Sequence, residues 1–220
     1  MLPHNLDAIS TRVLGALIEK ELSTPDHYPL SLHALTSACN QTSNRDPVMT
    51  LDDDTVSRAL DALRRGSLVR SFQGIGSRVP KYQHLLEDGS DLSRNELALL
   101  CVLALRGPQT LAELRVRAVR LMSDGDANAI EGALETMMAQ EQSVVIRLPR
   151  RAGQKEVRYA HTLGGEVAFD AEFEANDASV ATPSSSPADR IAALEEITTE
   201  LKNEIADLRA GFAAFRRQFE

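Results

Sequence analysis

The chain has no tryptophan, and aromatic residues make up only 4% of its 220 residues. Because proteins bind single-stranded nucleic acid largely by stacking bases on aromatic rings, this scarcity argues against a single-strand-binding surface. The longest apolar run, 97–105, is too short to span a bilayer, and the first residues lack the charged and apolar regions of a signal peptide. We therefore predict a cytoplasmic protein with no membrane partner.

Cysteine and the usual catalytic signatures are also scarce. Cys39 and Cys101 are the two cysteines, and neither belongs to a CxxC pair, so we predict reduced, buried thiols. His27, His33 and Cys39 recur every six residues, a spacing that matches no zinc motif. The sequence has no glycine-rich phosphate loop followed by a helix and no nucleophile elbow. We predict a non-enzyme with no metal and no cofactor.

Negative charge is concentrated at one end of the chain. The net charge is −8, and residues 166–220 alone carry 12 acidic and 5 basic side chains. The preceding 165 residues are therefore close to neutral, which neither requires nor excludes a nucleic-acid partner.

Two segments of the chain follow the same pattern. Residues 81–86 read KYQHLL and residues 158–163 read RYAHTL, and each closes a run of three predicted helices and a β-hairpin. Apolar residues at i, i+3, i+4 and i+7 mark the third helix of each copy. These positions are Val56, Ala59, Leu60 and Leu63 in the first copy, and Ile130, Ala133, Leu134 and Met137 in the second.

Proline and glycine breaks and the helix caps Ser31, Thr110 and Gly66 predict the element boundaries. We expect helices over 7–22, 32–39 and from Asp52 to Gly66, then strands over 68–72 and 78–85. In the second copy we expect helices over 92–105, 111–122 and 127–140, then strands over 144–148 and 156–159. The predicted fold is mainly α with small β-hairpins (α+β), as two tandem winged-helix domains, residues 1–88 and 89–165.

The remainder of the chain has a different composition. Residues 166–188 are acidic and then rich in Ser and Pro, which is typical of a flexible linker. Residues 189–220 have apolar residues at alternating spacings of three and four, which predicts a coiled-coil helix and a homodimer. The alternatives are a helix folded back on its own domains and a higher-order or heteromeric coil. The predicted oligomerisation positions are Ile191, Leu194, Leu201, Ile205, Leu208, Phe212, Phe215 and Phe219.

The first copy closely resembles the YceH-like family of bacterial proteins. The segments that carry the resemblance are 12–22 (RVLGALIEKEL), 24–26 (TPD), 28–32 (YPLSL), 38–41 (ACNQ), 43–49 (SNRDPVM), 76–82 (GSRVPKY) and His84. The resemblance covers about residues 6–165 and implies a tandem pair of winged helices, with transcription regulation suggested by the fold alone. The chain departs from the family at Ser10-Thr11, where an acidic residue is usual, and at Gln83, where a basic residue is frequent.

Basic residues decide how such a fold would bind duplex DNA, because Lys and Arg contact phosphates. The first copy's third helix opens with Asp52, Asp53 and Asp54, which repel phosphate, and the second copy's third helix has no basic residue. Positive charge lies instead on the second copy's second helix and hairpin. The candidate DNA-binding residues are Arg58, Arg64, Arg65, Arg78, Lys81, Arg115, Arg117, Arg120, Arg147, Arg150, Arg151, Lys155 and Arg158.

A polar run between the second and third helices is a second candidate site. Asn and Gln side chains read adenine edges, and Arg contacts guanine or phosphate. The same residue types also form turns and caps, and Arg45 with Asp46 forms a plausible local pair. The candidate ligand or partner residues are Asn40, Gln41, Asn44, Arg45 and Asp46.

Two functions follow from these patterns. The first is a duplex-DNA-binding regulator acting as a dimer. The alternative is an interaction adaptor, in which the winged helices are packing modules and the coil recruits a protein partner. Acidic third helices favour the alternative, whereas the Arg-rich second hairpin favours DNA.

Overall fold

The computed structural model describes residues 5–73, 79–86, 92–122, 129–150 and 156–165. These residues form an α+β structure in which one order of elements occurs twice. The first repeat consists of α1 Ala8–Ser23, β1 Leu30–Ser31, α2 Leu32–Cys39, α3 Asp53–Arg65, β2 Val69–Phe72 and β3 Lys81–His84, with a 3-10 turn at Pro25–His27. The second consists of α4 Arg94–Arg106, β4 Gln109–Thr110, α5 Leu111–Ala118, α6 Ala129–Ala139, β5 Val145–Arg147 and β6 Arg158–His161, with a 3-10 turn at Val119–Leu121.

Each repeat has a three-stranded antiparallel sheet with its last strand in the centre. The strand orders are β1-β3-β2 and β4-β6-β5. Val69 pairs with His84 in the first sheet, and Val145 pairs with His161 in the second. His84 and His161 thus occupy equivalent strand positions, as the repeated segments KYQHLL and RYAHTL predict.

Polar side chains fix where the helices begin. Asp7, Ser31, Asp52, Ser93 and Thr110 each accept a hydrogen bond from the backbone N–H three residues further on, so the predicted caps Ser31 and Thr110 are confirmed. At α4 and α5, a glutamate at the third helical position also accepts from the cap backbone. Each such cap stabilises its helix by about 1 kcal/mol, because it satisfies N–H groups with no partner inside the helix.

Helices α1 and α4 pack against each other at the centre of the structure. Gly15 of α1 lies so close to α4 that a Cβ added there would be 3.0 Å from the Leu105 side chain. Cys101 of α4 donates a thiol hydrogen bond to the Gly15 carbonyl at 3.5 Å. Since both helices are apolar on nearly every side, the two repeats share one core within a compact unit of residues 1–168.

The third helix of each repeat buries one face, as its periodicity predicts. Val56, Ala59, Leu60 and Leu63 of α3 are buried in the core. In α6, Ile130, Leu134 and Met137 are buried and Ala133 is partly buried against them. The two sets of core positions thus match in structure as well as in sequence.

Some boundaries differ from the predicted ones. The short strands β1 and β4 were not predicted, and the helix predicted over 111–122 ends at Ala118 and continues as the 3-10 turn. Gly66 caps α3, but the residue with the left-handed conformation is Ser67, with φ of 56°.

Several predictions concern parts of the chain outside the described residues. These are the domain boundary at 88/89, the linker at 166–188, the coil at 189–220, and the hairpin residues Arg78, Arg151 and Lys155. Among the described residues, no helix is both long enough and apolar enough to cross a membrane.

Candidate functional site

The basic residues of α3 lie on the surface, and among the described residues one of them, Arg64, has a carboxylate at ion-pair distance. Arg58 donates to the Thr55 hydroxyl at 2.8 Å, and Arg64 pairs with Asp61 at 3.3 Å. Arg65 is exposed at the end of the helix. The beginning of α3 carries the exposed side chains Asp53 and Asp54, so this end of the helix has a negative surface.

The predicted basic residues around α5 are each close to a carboxylate. Arg115 lies 3.5 Å from Glu131 of α6, and Arg117 lies 3.4 Å from Glu113. Glu113 is also 3.3 Å from Arg158, whose guanidinium donates to the Pro108 carbonyl. These pairs neutralise most of the positive charge that the sequence places on this helix.

The hairpins hold exposed cations without such partners. Arg70 and Lys81 lie on β2 and β3, and Arg147 and Arg150 lie on and just beyond β5. Within the described residues, none of the four has a carboxylate at ion-pair distance. Arg70 donates to the Gln83 side chain at 2.8 and 3.1 Å once that amide is oriented to accept. Among the described residues, each hairpin therefore presents two exposed cations without a carboxylate partner.

Arg70 was not among the predicted DNA-binding residues. It faces outward because its neighbour Val69 is buried, and alternate residues of a strand point to opposite sides. The strand alternation predicted over 68–72 therefore contains the information that places Arg70 on the surface.

The polar run 40–46 is organised around a buried guanidinium. The Arg45 side chain is fully buried and makes a two-pronged contact with Glu19 of α1, at 2.6 and 3.2 Å. It also donates to the Ala38 carbonyl at 2.8 Å and to the Gln41 side chain at 3.0 Å. Because both groups are buried, water cannot solvate either charge if its partner is removed. Each charge therefore depends on the other for its stabilisation.

A second buried arginine, Arg12, supports the same loop. Its guanidinium donates to the carbonyls of Cys39 at 3.1 Å and Pro47 at 2.6 Å. Burial, followed by the nearby charge of Arg45, lowers the pKa of Arg12. Arg12 and Glu19 were not predicted as site residues, although their spacing of seven residues puts them on one face of α1.

Contacts with the second repeat hold the other side of the run. The Asp46 N–H donates to the Leu105 carbonyl at 2.9 Å, and Arg106 donates to the Asn44 side chain. Asn40 bridges back to Leu51 by accepting from its N–H at 2.8 Å and donating to its carbonyl at 2.7 Å. The Asp46 side chain is exposed.

A cavity of about 670 Å³ adjoins this loop. Its walls are formed by the end of α1, including Glu19 and Lys20, by residues 40–44, and by Arg120 and Leu121 of the second repeat. The structure thus brings Asn40, Gln41 and Asn44 together with the predicted DNA-binding residue Arg120, a grouping that the sequence did not predict.

The equivalent histidines are both shielded from solvent. His84 Nδ1 accepts from the Leu86 N–H at 3.3 Å, which leaves Nε2 facing the Glu21 carboxylate. His161 has no carboxylate beside it among the described residues, and burial lowers its pKa to about 4. Within the described part of the chain, no three His, Cys, Asp or Glu side chains are grouped to hold a metal.

Comparison with known proteins identifies the family of this α+β chain. Residues 6–154 match the family model described as "Protein of unknown function, DUF480", so the chain is a member of that family. It is similar to the UPF0502 protein of Pelobacter propionicus, with 49% identity over 221 residues covering 100% of this chain and 99% of the relative. The UPF0502 protein of Solibacter usitatus is 46% identical over 215 residues, which cover 98% of each chain. That of Geotalea daltonii is 53% identical over 167 residues, 76% of each.

This membership agrees with the resemblance noted in the sequence, in that both indicate an uncharacterised bacterial family. The name YceH-like itself stays a prediction. The family description assigns no enzymatic activity.

Proposed function

We propose that the chain is a cytoplasmic, non-enzymatic tandem winged-helix protein that binds duplex DNA through its hairpins and acts in transcription regulation. The order of helix, strand, helix, helix and two returning strands in each repeat supports the winged-helix assignment. In such a fold, the third helix or the hairpin contacts the duplex. Because one fold serves many functions, DNA binding is inferred from the surface charges and not from the fold alone.

The observation that carries the proposal is the placement of the unpaired cations. Arg70, Lys81, Arg147 and Arg150 are exposed on the hairpins, and the described residues offer them no carboxylate. Free cations of this kind bind phosphates and release counterions. Because α3 begins with carboxylates and α6 carries no basic residue, neither helix is suited to the major groove. We therefore infer backbone contacts with little sequence preference.

Fluorescence anisotropy with random-sequence duplex DNA, titrated at increasing salt, tests the proposal. Log K falls as log salt rises, and removing two phosphate contacts makes this negative slope less steep by about 1.8. We expect that change in the variant Arg147→Ala/Arg150→Ala. Arg65→Ala/Arg94→Ala is the matched control, because it removes two exposed cations that lie on helices. The sequence predicts Arg65 as a candidate DNA-binding residue, but the proposal assigns no phosphate contact to α3. Equal slopes in the wild type and the hairpin variant would contradict the proposal.

We also propose that residues 189–220 make the protein a dimer, which increases DNA affinity by linking several binding modules. This part rests on the heptad pattern alone. Analytical ultracentrifugation of Leu201→Asp is the test, with Asn203→Asp as a control at an outward heptad position. We expect the first variant to be monomeric and the second to remain dimeric.

The adaptor function remains the second candidate, and one observation favours it. Helix α6 presents the exposed carboxylates Glu131 and Glu135, and Val116 of the neighbouring α5 is 79% exposed. A mixed apolar and acidic surface of this kind suits a protein partner better than DNA. If the protein binds no DNA even at low salt, the full chain should instead capture a protein partner in a pull-down. Val116→Asp should then weaken that capture.

A further inference from the structure

The cavity beside the polar loop has the size and position of a ligand site. Its volume of about 670 Å³ lies within the usual range of about 300–1,000 Å³ for small-molecule pockets. It is bounded by α1 and residues 40–44 of the first repeat and by Arg120 and Leu121 of the second. A molecule bound there would contact both repeats at once.

The wall of this cavity has more positive than negative charge. Three cations share the single carboxylate of Glu19, with Arg45 at 2.6 Å, Lys20 at 3.7 Å and Arg120 at 4.0 Å. Arg45 is the closest of the three and takes both carboxylate oxygens, so Lys20 and Arg120 remain available to another anion. The surroundings are positively charged too. The pKa of Arg106 is lowered first by burial and then by the nearby positive charges of Arg117 and Arg120.

The rest of the lining is polar and offers hydrogen bonds. The amide oxygens of Gln41 and Asn44 already accept from Arg45 and Arg106, which leaves their NH2 groups for a ligand. Thr42 and Ser43 add hydroxyl groups to the lining. The loop is held in this shape by the buried Arg45, so its polar groups do not have to be ordered when a ligand arrives. Such a lining suits a ligand with hydroxyl groups.

We propose that the cavity binds a small organic anion, with its phosphate or carboxylate between Lys20 and Arg120 and its hydroxyl groups against residues 40–44. A small molecule fits better than the DNA backbone because the wall is concave and includes none of the exposed hairpin cations. The proposal does not depend on DNA binding.

Isothermal titration calorimetry of the full chain tests this site with three sugars of similar size. Glucose 6-phosphate and gluconate represent the phosphate and carboxylate forms, and glucose is the uncharged control. We expect at least one anion to bind with saturation at about 10 mM or below, and glucose not to bind. Absence of binding by both anions at that concentration would overturn the proposal.

Variants separate a specific site from general attraction to positive charge. Lys20→Gln/Arg120→Gln should weaken binding of the anion by about tenfold or more, because two charge-assisted contacts are lost. Arg65→Gln/Arg94→Gln removes the same charge elsewhere and should bind as the wild type does. Thr42→Trp places a bulky side chain at the cavity wall without changing charge and should also weaken binding. Circular dichroism checks the fold of each variant.

Two outcomes contradict the cavity as the binding place. Unchanged anion affinity in both Lys20→Gln/Arg120→Gln and Thr42→Trp would place the anion elsewhere. If Lys20→Gln/Arg120→Gln loses duplex DNA binding while the wild type binds neither anion, the surface contacts DNA and the small-ligand proposal is wrong.

Discussion

Replacing Arg45 by methionine should destabilise the protein far more than removing a surface arginine. Methionine keeps much of the side-chain volume but leaves Glu19 buried without its two-pronged partner, at 2.6 and 3.2 Å in the wild type. It also removes the donor to the Ala38 carbonyl, which lies at 2.8 Å. Breaking one partner from a buried pair typically costs about 3–5 kcal/mol.

The surroundings set where in that range the loss falls. Lys20 and Arg120 remain 3.7 and 4.0 Å from the Glu19 carboxylate and partly compensate its charge. We therefore expect Arg45→Met to reduce the free energy of unfolding by about 3 kcal/mol. For a chain of this size the corresponding decrease in Tm is about 6–12 °C.

Urea denaturation followed by circular dichroism measures this loss, and the chain provides a matched control. Arg64 pairs with Asp61 at 3.3 Å, but both side chains are about half exposed. Arg64→Met should therefore cost less than about 1 kcal/mol. The double variant Glu19→Gln/Arg45→Met should lose less than the sum of its single changes, because the first removes the charge that the second leaves unpaired.

Two results would contradict the buried pair of Arg45 and Glu19. If Arg45→Met costs no more than Arg64→Met, Arg45 is not held in the interior by Glu19. If the two single losses add in the double variant, the side chains are not coupled, and residues 40–46 are positioned by other contacts.

Three further predictions follow from the core and the titratable groups. Gly15→Val should cost about 1–3 kcal/mol in urea denaturation, because the added atoms would meet Leu105 of α4; an unchanged midpoint would contradict the close packing of the two helices. Both thiols should react with Ellman's reagent only after unfolding, since burial raises the pKa of Cys39 to about 12 and also that of Cys101; fast reaction in the native state would argue against their burial. Burial lowers the folded pKa of His161 to about 4, so the stability that neutral His161 contributes should be fully present above about pH 6.5. The free energy of unfolding should then decrease by up to about 1.4 kcal/mol per pH unit towards pH 4. His161→Phe should remove that part of the pH dependence in unfolding measured against pH.

The helices were predictable because their signals are local. The apolar spacing of Val56, Ala59, Leu60 and Leu63 identified the buried face of α3, and side-chain caps such as Ser31 identified helix starts. The strands β1 and β4 were missed because two residues are too few to show alternation. They form only because the central strand of each sheet has a free edge beside them.

The candidate sites depended more on tertiary contacts. Arg115 and Arg158 stand in basic stretches of the sequence, but their partners Glu131 and Glu113 come from other elements. Local sequence does not contain that pairing. The cavity was also not predictable, because it requires α1 and α4 to pack together and bring Arg120 next to residues 40–44.

The charge of the hairpins was only partly predictable. Arg147 and Arg150 were predicted to bind DNA, and the structure exposes both. The alternation of β2 would also have indicated Arg70. The sequence did not show that Arg115 and Arg117 of α5 pair with carboxylates whereas the hairpin cations do not. That difference is the reason to assign phosphate binding to the hairpins instead of to α5.

The salt dependence of duplex DNA binding tests the central proposal most directly. Compared with the wild type, Arg147→Ala/Arg150→Ala should make the negative slope of log K against log salt less steep by about 1.8, whereas Arg65→Ala/Arg94→Ala should not change it. A wild type that does not bind random duplex DNA at low salt, or a slope that the hairpin variant leaves unchanged, would contradict the assignment of DNA binding to the hairpins.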